Sequence, residues 1–310
     1  MKPHKIILAG GSGFIGQLLI EHWKNAPVDI VVFSRKPCTS HDRVRYVVWD
    51  GETLGEWANE LDGADVLINL SGKSVDCRYT KRNKQLIMRS RINSTSILGE
   101  AIRQAAIPPR LWINSASATI YRHALDRQMD EETGDTKTDR PAHQFSVQVC
   151  KTWEQTFWGA DVPVTVRKVV LRMAIVLGQE GGALPLLKRL IHVGLGGKMG
   201  RGDQFMSWLH ERDLSRIFDF IIQNDTIAGT YNASAPNPIR NHEFMALLRR
   251  SLGVPIGLPA TEWMLTIGAF FLRTETELVL KSRNVVPRKL LDAGFTFDFS
   301  NAKDAIAALT

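Results

Sequence analysis

The stretch KIILAGGSGFIGQLLIEHW, Lys5 to Trp23, decides the fold. Its first residues, Lys5–Ala9, form a short apolar run of the kind that is buried in a parallel sheet. Three glycines follow at three-residue spacing, Gly10, Gly13 and Gly16, and an apolar helical segment begins among them. A strand, a glycine-rich turn and a helix in this order are typical of phosphate binding, because the helix N-terminus offers unpaired N–H groups and a positive dipole.

Each glycine has a predicted role in holding a dinucleotide. Gly10 permits the tight turn, Gly13 lets backbone approach a pyrophosphate, and Gly16 lets the helix pack against the strand. Phe14 and Ile15 open the helix, so we expect them to contact the same ligand. The alternative is a tight loop that binds no ligand, but the strand and helix on either side favour the dinucleotide.

The second strand, DIVVFSRKP, predicts which dinucleotide is bound. A chain that binds NAD usually ends this strand with an acid on the adenosine ribose, whereas this chain has Ser34 followed by Arg35 and Lys36. Two cations and no acid suit the 2′-phosphate of NADP(H), which is the predicted cofactor. The alternative is a solvated basic turn. Asp50, which ends the next strand, either meets the adenine edge or caps the following turn.

Two later apolar runs, ADVLINLSGKS and RLWINSASATIY, predict a fourth and a fifth strand. We expect Leu70, Ser71 and Gly72, which follow the fourth strand, to border the cofactor. Because strands alternate with helical segments, the sequence predicts an α/β fold with a doubly wound parallel sheet of the Rossmann type.

A smaller, mostly helical lid domain is predicted after this sheet, because glycine-rich and apolar helical segments follow a further apolar strand that ends at Arg172. We expect residues 1–171 with 207–233 to form the NADP-binding domain. Residues 172–206 with 234–310 would form the substrate-binding lid domain.

The composition is that of an ordinary globular protein: 310 residues, 44% apolar and 23% charged, with a net charge of +7. The basic residues are scattered, and no recognition-helix or zinc-finger pattern is present. The cysteines, Cys38, Cys77 and Cys150, lack metal-ligand spacing, and their sparse number fits a reducing compartment. The apolar stretch Trp263–Leu272 is about half a membrane span and predicts a helix. We expect a cytoplasmic protein that binds no metal, nucleic acid or membrane, and we leave a homodimer open.

Several motifs resemble a known family. The glycine turn AGGSGFIG together with NSASATIY resembles the extended short-chain dehydrogenase/reductase superfamily, which includes nucleotide-sugar epimerases and dehydratases. The resemblance implies that Ser117, in SATIY, is the catalytic serine. Segments such as FSVQVCKTWE, GLGGKMGRGDQFMSWLHERDL and VVPRKLLDAGFTF are similar to the YfcH-like branch, whose members are named as epimerases by homology. The chain departs from that branch at Arg78-Tyr79 and at Gly268-Ala269, where the branch commonly has Arg-Trp and Gly-Glu.

The catalytic pair of that superfamily is missing from HQFSVQVCKTWE, His143 to Glu154. Members of the superfamily keep Tyr-x-x-x-Lys here, and the lysine lowers the phenol pKa towards neutrality so that the tyrosine can exchange a proton while hydride moves. Counting back from Glu154 places Ser146 at the tyrosine and Cys150 at the lysine. A serine hydroxyl is too weak an acid for this work without an activating base.

Other groups are candidates to replace the missing pair. Tyr121 lies four residues after Ser117 and is a candidate acid near the nicotinamide, although the resemblance more often implies a structural role. Cys150 would ionise only in an electropositive site, and the alternative is a small buried helix residue. Arg172 is either a cofactor contact or the partner in a structural ion pair. Arg91 lies on a basic helix, KRNKQLIMRSRINST, that either binds an anion or is a solvated flank.

The sequence therefore leaves three functions open. The first is an NADP(H)-binding oxidoreductase-like protein with an unknown small-molecule substrate, in which Ser117 holds the substrate oxygen and an atypical acid replaces tyrosine. The second is a scaffold or regulator that responds to NADPH without turnover, which the missing pair favours. The third is a nucleotide-sugar epimerase.

Overall fold

The computed structural model describes residues 3–138, 140–271 and 275–310. The strands are, in chain order, β1 (Lys5–Ala9), β2 (Asp29–Ser34), β3 (Val44–Val48), β4 (Val66–Asn69), β5 (Leu111–Ser117), β6 (Arg167–Met173), β7 (Ile175–Leu177), β8 (Phe205–Met206), β9 (Trp208–His210), β10 (Gly229–Ala233) and β11 (Ile239–Arg240). The α-helices are α1 (Phe14–Trp23), α2 (Lys81–Gln104), α3 (Pro141–Trp158), α4 (Leu184–His192), α5 (Glu211–Gln223), α6 (Asn241–Ser251), α7 (Glu262–Phe271), α8 (Glu277–Leu280), α9 (Arg288–Asp292) and α10 (Ala302–Leu309). Short 3-10 helices cover Glu56–Leu61 and Ala118–Ile120.

A seven-stranded parallel sheet forms the centre of the molecule, in the order β3-β2-β1-β4-β5-β6-β10. Strand β1 pairs with β2 on one side and with β4 on the other, so the strand order reverses next to β1. In open sheets of this kind, ligands bind at the carboxyl ends of the strands beside such a reversal. The predicted α/β fold with a doubly wound Rossmann sheet is confirmed.

Hydrophobic clusters cover both faces of the sheet, because successive side chains of a buried strand point to opposite sides. On one face, Leu8 of β1 belongs to a cluster that includes Phe218 of α5. On the other face, Ile7 of β1 belongs to a cluster that includes Leu98 of α2 and Phe157 of α3. The glycine turn between β1 and α1 therefore follows a strand whose last four residues, Ile6 to Ala9, are buried.

A third hydrophobic cluster lies in the C-terminal part of the chain and contains Leu184 of α4, Phe244 of α6 and Ile306 of α10. The predicted helical C-terminal region is confirmed. The exact residue boundaries of the two domains stay a prediction. The last part of the chain also returns to the sheet, because Leu290 of α9 belongs to the same cluster as the β1 residue Leu8.

The segment between α8 and α9 ties the C-terminal region to the end of the sheet. Lys281 donates from Nζ to the carbonyl oxygen of Thr119, which follows β5, at 2.7 Å. The hydroxyl of Ser207 donates to the carbonyl oxygen of Arg283 at 2.7 Å. Val285 forms an isolated parallel bridge with Met129. The segment is thus held against the carboxyl ends of the strands, where ligands bind in this fold.

The helix predicted from Trp263 to Leu272 is found as α7, and Leu272 lies outside the described residues. Its apolar side chains are unusually open to solvent, since Trp263 is 66% exposed and Phe270 is 67% exposed. Within the described part of the chain, no helix combines the length and the apolar character needed to span a membrane.

Candidate cofactor and substrate site

Two cavities meet at the glycine turn that follows β1. The first, here called the inner cavity, has a volume of about 420 Å³ and extends from the turn to the end of β5 and the start of α8. The second, the outer cavity, has a volume of about 740 Å³ and extends from the turn to the ends of β2 and β3. Residues predicted to border the cofactor line both cavities, namely Gly10, Gly13, Leu70, Ser71 and Gly72. Other predicted contacts, Phe14, Ile15 and Gly16, line the inner cavity.

The geometry of the turn requires glycine at two of the three predicted positions, Gly10 and Gly16. Gly10 has a φ of +76°, and a Cβ built on it would lie 2.9 Å from the backbone nitrogen of Ser71. A Cβ on Gly13 would meet only the carbonyl oxygen of Gly10, at 3.7 Å, so the folded chain leaves space there. A Cβ on Gly16 would overlap the backbone of Gly11. Gly16 therefore permits contact between helix and turn, which corrects the predicted contact between helix and strand.

The end of β2 presents a cation to the outer cavity. Ser34 and Arg35 line this cavity, whereas Lys36 is exposed and lies outside the residues that line either cavity. The Ser34 hydroxyl accepts a hydrogen bond from the Lys36 backbone nitrogen at 3.3 Å, so this buried side chain shapes the turn. Arg89 of α2 and Lys73 add two further cations, which sequence reasoning did not assign to the cofactor.

Asp50 lines the outer cavity and also caps the turn that follows it. Its carboxylate accepts hydrogen bonds from the backbone nitrogens of Glu52, at 2.8 Å, and Thr53, at 2.9 Å. A further hydrogen bond from the Thr53 hydroxyl is the largest cause of a lowered pKa of Asp50. Of the two predicted roles, the structure shows the cap, and contact with the adenine edge stays a prediction.

Ser117 ends β5 and lines the inner cavity, and its catalytic role stays a prediction. Its Oγ accepts a hydrogen bond from the backbone nitrogen of Thr119 at 3.2 Å. This hydrogen bond leaves the hydroxyl proton of Ser117 able to donate to a ligand oxygen.

Tyr121 and Arg172 lie outside the residues that line either cavity. The buried Tyr121 hydroxyl donates to Asn232 Oδ1 at 3.0 Å and accepts from Arg172 Nη1 at 2.8 Å, and burial raises the pKa of Tyr121. Arg172 also pairs with the carboxylate of Glu154, at 2.8 and 2.7 Å. Tyr121 therefore has the structural role that was its alternative, and Arg172 forms the structural ion pair that was its alternative. A proton-donor role for Tyr121 and a cofactor contact by Arg172 stay predictions.

Ser146 and Cys150 occupy adjacent turns on one face of α3, and both line the inner cavity. Burial raises the pKa of the Cys150 thiol to about 11, so the thiol is neutral at pH 7. A cation is nevertheless close by, because the Arg91 guanidinium lies 5.0 Å from the ring centre of Trp153 and also lines this cavity. Helix α2 thus supplies positive charge near the place where α3 lacks its lysine.

The C-terminal segment brings charged groups into the same place. Glu277 and Arg283 line the inner cavity. The Ser146 hydroxyl hydrogen-bonds to Oε1 of Glu277, and the ammonium of Lys281 lies 3.8 Å from the same oxygen. Sequence reasoning missed these residues. In the stretch ETELVLKSR, charged residues stand four apart with apolar residues between them, which predicts only local helical structure. More than 100 positions separate this stretch from Ser146, so the sequence does not indicate that they meet.

Comparison with known proteins identifies the class of this chain. A family model described as the NAD dependent epimerase/dehydratase family matches residues 6–234, and the chain belongs to that family. The predicted family is therefore confirmed. A second model, described as a domain of unknown function (DUF1731), matches residues 260–309, which include Glu277, Lys281 and Arg283.

Several relatives resemble the chain over almost its whole length. The epimerase family protein YfhF of Bacillus subtilis is 30% identical over 98% of this chain and 97% of its own. The epimerase family protein SH2119 of Staphylococcus haemolyticus is 32% identical over 98% of both chains. Among solved structures, the human epimerase family protein SDR39U1 (isoform 2) with NADPH is 27% identical, covers 98% of each chain and has a TM-score of 0.85.

Proposed function

We propose that the chain is an NADP(H)-dependent oxidoreductase-like protein of the extended short-chain type, which acts on a small molecule bound in the inner cavity. The observation that carries this proposal is the meeting of the two cavities at the glycine turn. A dinucleotide laid across the turn would place its adenosine in the outer cavity and its nicotinamide in the inner cavity, near Ser117.

A preference for NADP(H) is supported by charge at the adenosine end. Ser34 stands at the position where an acid would contact the ribose in an NAD-binding chain, and Arg35, the next residue, lines the outer cavity. Arg89 and Lys73 line the same cavity and add positive charge. A guanidinium suits a phosphate because it can donate two parallel hydrogen bonds. The similar human protein was solved with NADPH, which agrees with this reasoning.

The residues of the chain would divide the work as follows. Backbone N–H groups at the start of α1 bind the pyrophosphate, and Arg35 binds the 2′-phosphate. Ser117 donates a hydrogen bond to the substrate oxygen. Apolar side chains of the inner cavity, such as Met173 and Val149, exclude water around the reacting groups. The bound cofactor supplies hydride or accepts it.

A second candidate function is a binding protein that responds to NADPH without turnover. The residues at the Tyr-Lys positions favour this function, because neither Ser146 nor Cys150 can by itself exchange a proton as the tyrosine of that pair does. Both candidates require NADP(H) in the same place. They differ only in whether another group of the inner cavity exchanges a proton with a substrate.

Titration of the purified protein with NADPH and with NADH, followed by quenching of tryptophan fluorescence, tests the cofactor assignment. We expect NADPH to bind at least about tenfold more tightly, which is about 1.4 kcal/mol. Equal affinities for the two cofactors, or no binding of either, would contradict the proposal.

A further inference from the structure

Glu277 has an arrangement that packing alone does not explain. Its side chain is buried, since the residue is only 7% exposed, and it lines the inner cavity. Oε1 is engaged by the Ser146 hydroxyl, whereas Oε2 is buried and has no hydrogen-bond partner among the described residues. Burying a carboxylate oxygen without a partner is costly. Glu277 thus lines a ligand cavity and carries one carboxylate oxygen that has no hydrogen-bond partner among the described residues, as expected of a group whose partner comes with a ligand.

The surroundings of Glu277 can support a negative charge. Lys281 is 1% exposed, its ammonium lies 3.8 Å from Oε1 of Glu277, and it donates to the Thr119 carbonyl oxygen at 2.7 Å. Burial, followed by repulsion from Arg283, lowers the pKa of Lys281 to about 8, which still leaves it protonated at pH 7. The buried Arg283 donates from Nε to the Thr119 hydroxyl at 3.1 Å. The positive charges of Lys281 and Arg283 therefore offset the cost of burying a negatively charged Glu277.

The same contacts fix Glu277 relative to the predicted substrate position. Thr119 lies two residues after Ser117, and Lys281 and Arg283 both bond to Thr119. Ser146 holds Oε1 from the other side, from the position on α3 where the superfamily keeps its tyrosine. Glu277 is thus held between the end of β5 and the tyrosine position by groups that are themselves buried.

We propose that Glu277, supplied by the C-terminal segment of unknown function, is the acid–base residue that replaces the missing tyrosine. This inference rests on the proposed function, because it assigns the proton transfer of that reaction. Ser146 and Lys281 are positioning residues: Ser146 orients the carboxylate, and Lys281 balances its charge.

The step balances with NADP(H) as the only co-reactant. When an alcohol is oxidised, its O–H bond breaks and the proton goes to Oε2 of Glu277. The C–H bond on the same carbon breaks, hydride carries both bonding electrons to NADP⁺, and the oxygen electron pair forms the carbonyl π bond. Reduction is the reverse, with Glu277 giving the proton to the alkoxide oxygen as hydride arrives. Between turnovers the proton on Glu277 exchanges with solvent.

The test follows NADPH oxidation in the presence of two probes, benzaldehyde and 4-carboxybenzaldehyde, which are a neutral and an anionic carbonyl compound. We expect the wild-type protein to reduce at least one of them. Glu277→Gln keeps an oxygen that can accept the Ser146 hydrogen bond but cannot take up a proton, so kcat should fall by about 10² to 10⁴. Its affinity for NADPH should stay unchanged. Glu275→Gln, two residues away and outside the lining of the inner cavity, is the matched control and should keep wild-type turnover.

Chemical rescue separates a proton-transfer role from a structural one. Glu277→Ala should be inactive, and added formate should restore part of its turnover, because a small carboxylate can occupy the space of the missing side chain. Wild-type turnover in Glu277→Gln would overturn the inference, as would a lack of rescue in a folded Glu277→Ala protein. Tight NADPH binding by wild type without reduction of either probe would also overturn it while leaving the cofactor site intact. A failure to bind NADPH would instead contradict the proposed function.

Discussion

Replacing Gly13 by valine should abolish cofactor binding and leave the fold unchanged. Gly13 has a φ of −83° and a ψ of 175°, an extended conformation that valine adopts readily. The new Cβ would lie 3.7 Å from the carbonyl oxygen of Gly10, which is ordinary van der Waals contact. The free energy of unfolding should therefore change by less than about 1 kcal/mol.

Gly10→Ala is the matched comparison in the same turn. A φ of +76° is expected to cost a residue with a Cβ about 1–2 kcal/mol. The Cβ would also lie 2.9 Å from Ser71 backbone atoms, and overpacking of this kind costs about 1–3 kcal/mol. The free energy of unfolding should fall by about 2–5 kcal/mol in total. At about 2 °C per kcal/mol, the melting temperature should fall by about 4–10 °C.

The effect of Gly13→Val on binding arises only when the cofactor is present. The side chain would stand where the backbone must touch the pyrophosphate, so the N–H groups at the start of α1 could no longer reach it. We expect NADPH affinity to fall at least about 100-fold, which is about 2.7 kcal/mol. Fluorescence titration and scanning calorimetry measure the two effects separately. NADPH binding by Gly13→Val within threefold of wild type would refute this placement of the pyrophosphate, and a melt as low as that of Gly10→Ala would refute the geometry of the turn.

Three further predictions follow from the same structure. Arg35→Ala should weaken NADPH binding by about 1.4 kcal/mol or more and leave NADH binding unchanged. Lys36→Ala should have a smaller effect, because Lys36 lies outside both cavities. An unchanged NADPH titration for Arg35→Ala would count against the 2′-phosphate site. Glu277→Gln protein should show no epimerase turnover on UDP-glucose or UDP-galactose, because neither Ser146 nor Cys150 replaces the Tyr-Lys pair once the Glu277 carboxylate is gone, and robust epimerisation by this variant in a coupled assay would contradict this. Burial lowers the pKa of His143 to about 4, so between pH 6.5 and 4 the unfolded chain binds a proton at His143 that the folded chain does not, and the free energy of unfolding falls as the pH falls. Between pH 7 and pH 5, His143→Leu should therefore lose less stability in urea melts than the wild-type protein. Equal losses would show that His143 does not cause this pH dependence.

The cofactor half of the site could be predicted from the sequence because its signals are local. A glycine turn must stand between a buried strand and a helix, and Gly10, Gly13 and Gly16 lie within seven residues of each other. The carboxyl ends of parallel strands meet at one edge, so Ser34, Asp50 and Ser71 were expected near that turn, and all three line the outer cavity. The absence of Tyr-x-x-x-Lys was likewise readable, since both positions belong to a single helix.

Which residue lies beside the position of the missing tyrosine was decided only by the tertiary structure. Nothing in the spacing of ETELVLKSR indicates that Glu277 reaches Ser146, which lies 131 positions earlier. The approach depends on the segment between α8 and α9, which is docked against Thr119, and on the packing of α9 against the sheet. Tyr121 is the opposite case. Its spacing from Ser117 predicted a place near the nicotinamide, whereas hydrogen bonds to Asn232 and Arg172 hold its hydroxyl outside both cavities. Local sequence determines turns, strands and helix faces through backbone conformation and periodicity, whereas contacts between distant segments depend on how complete elements pack together.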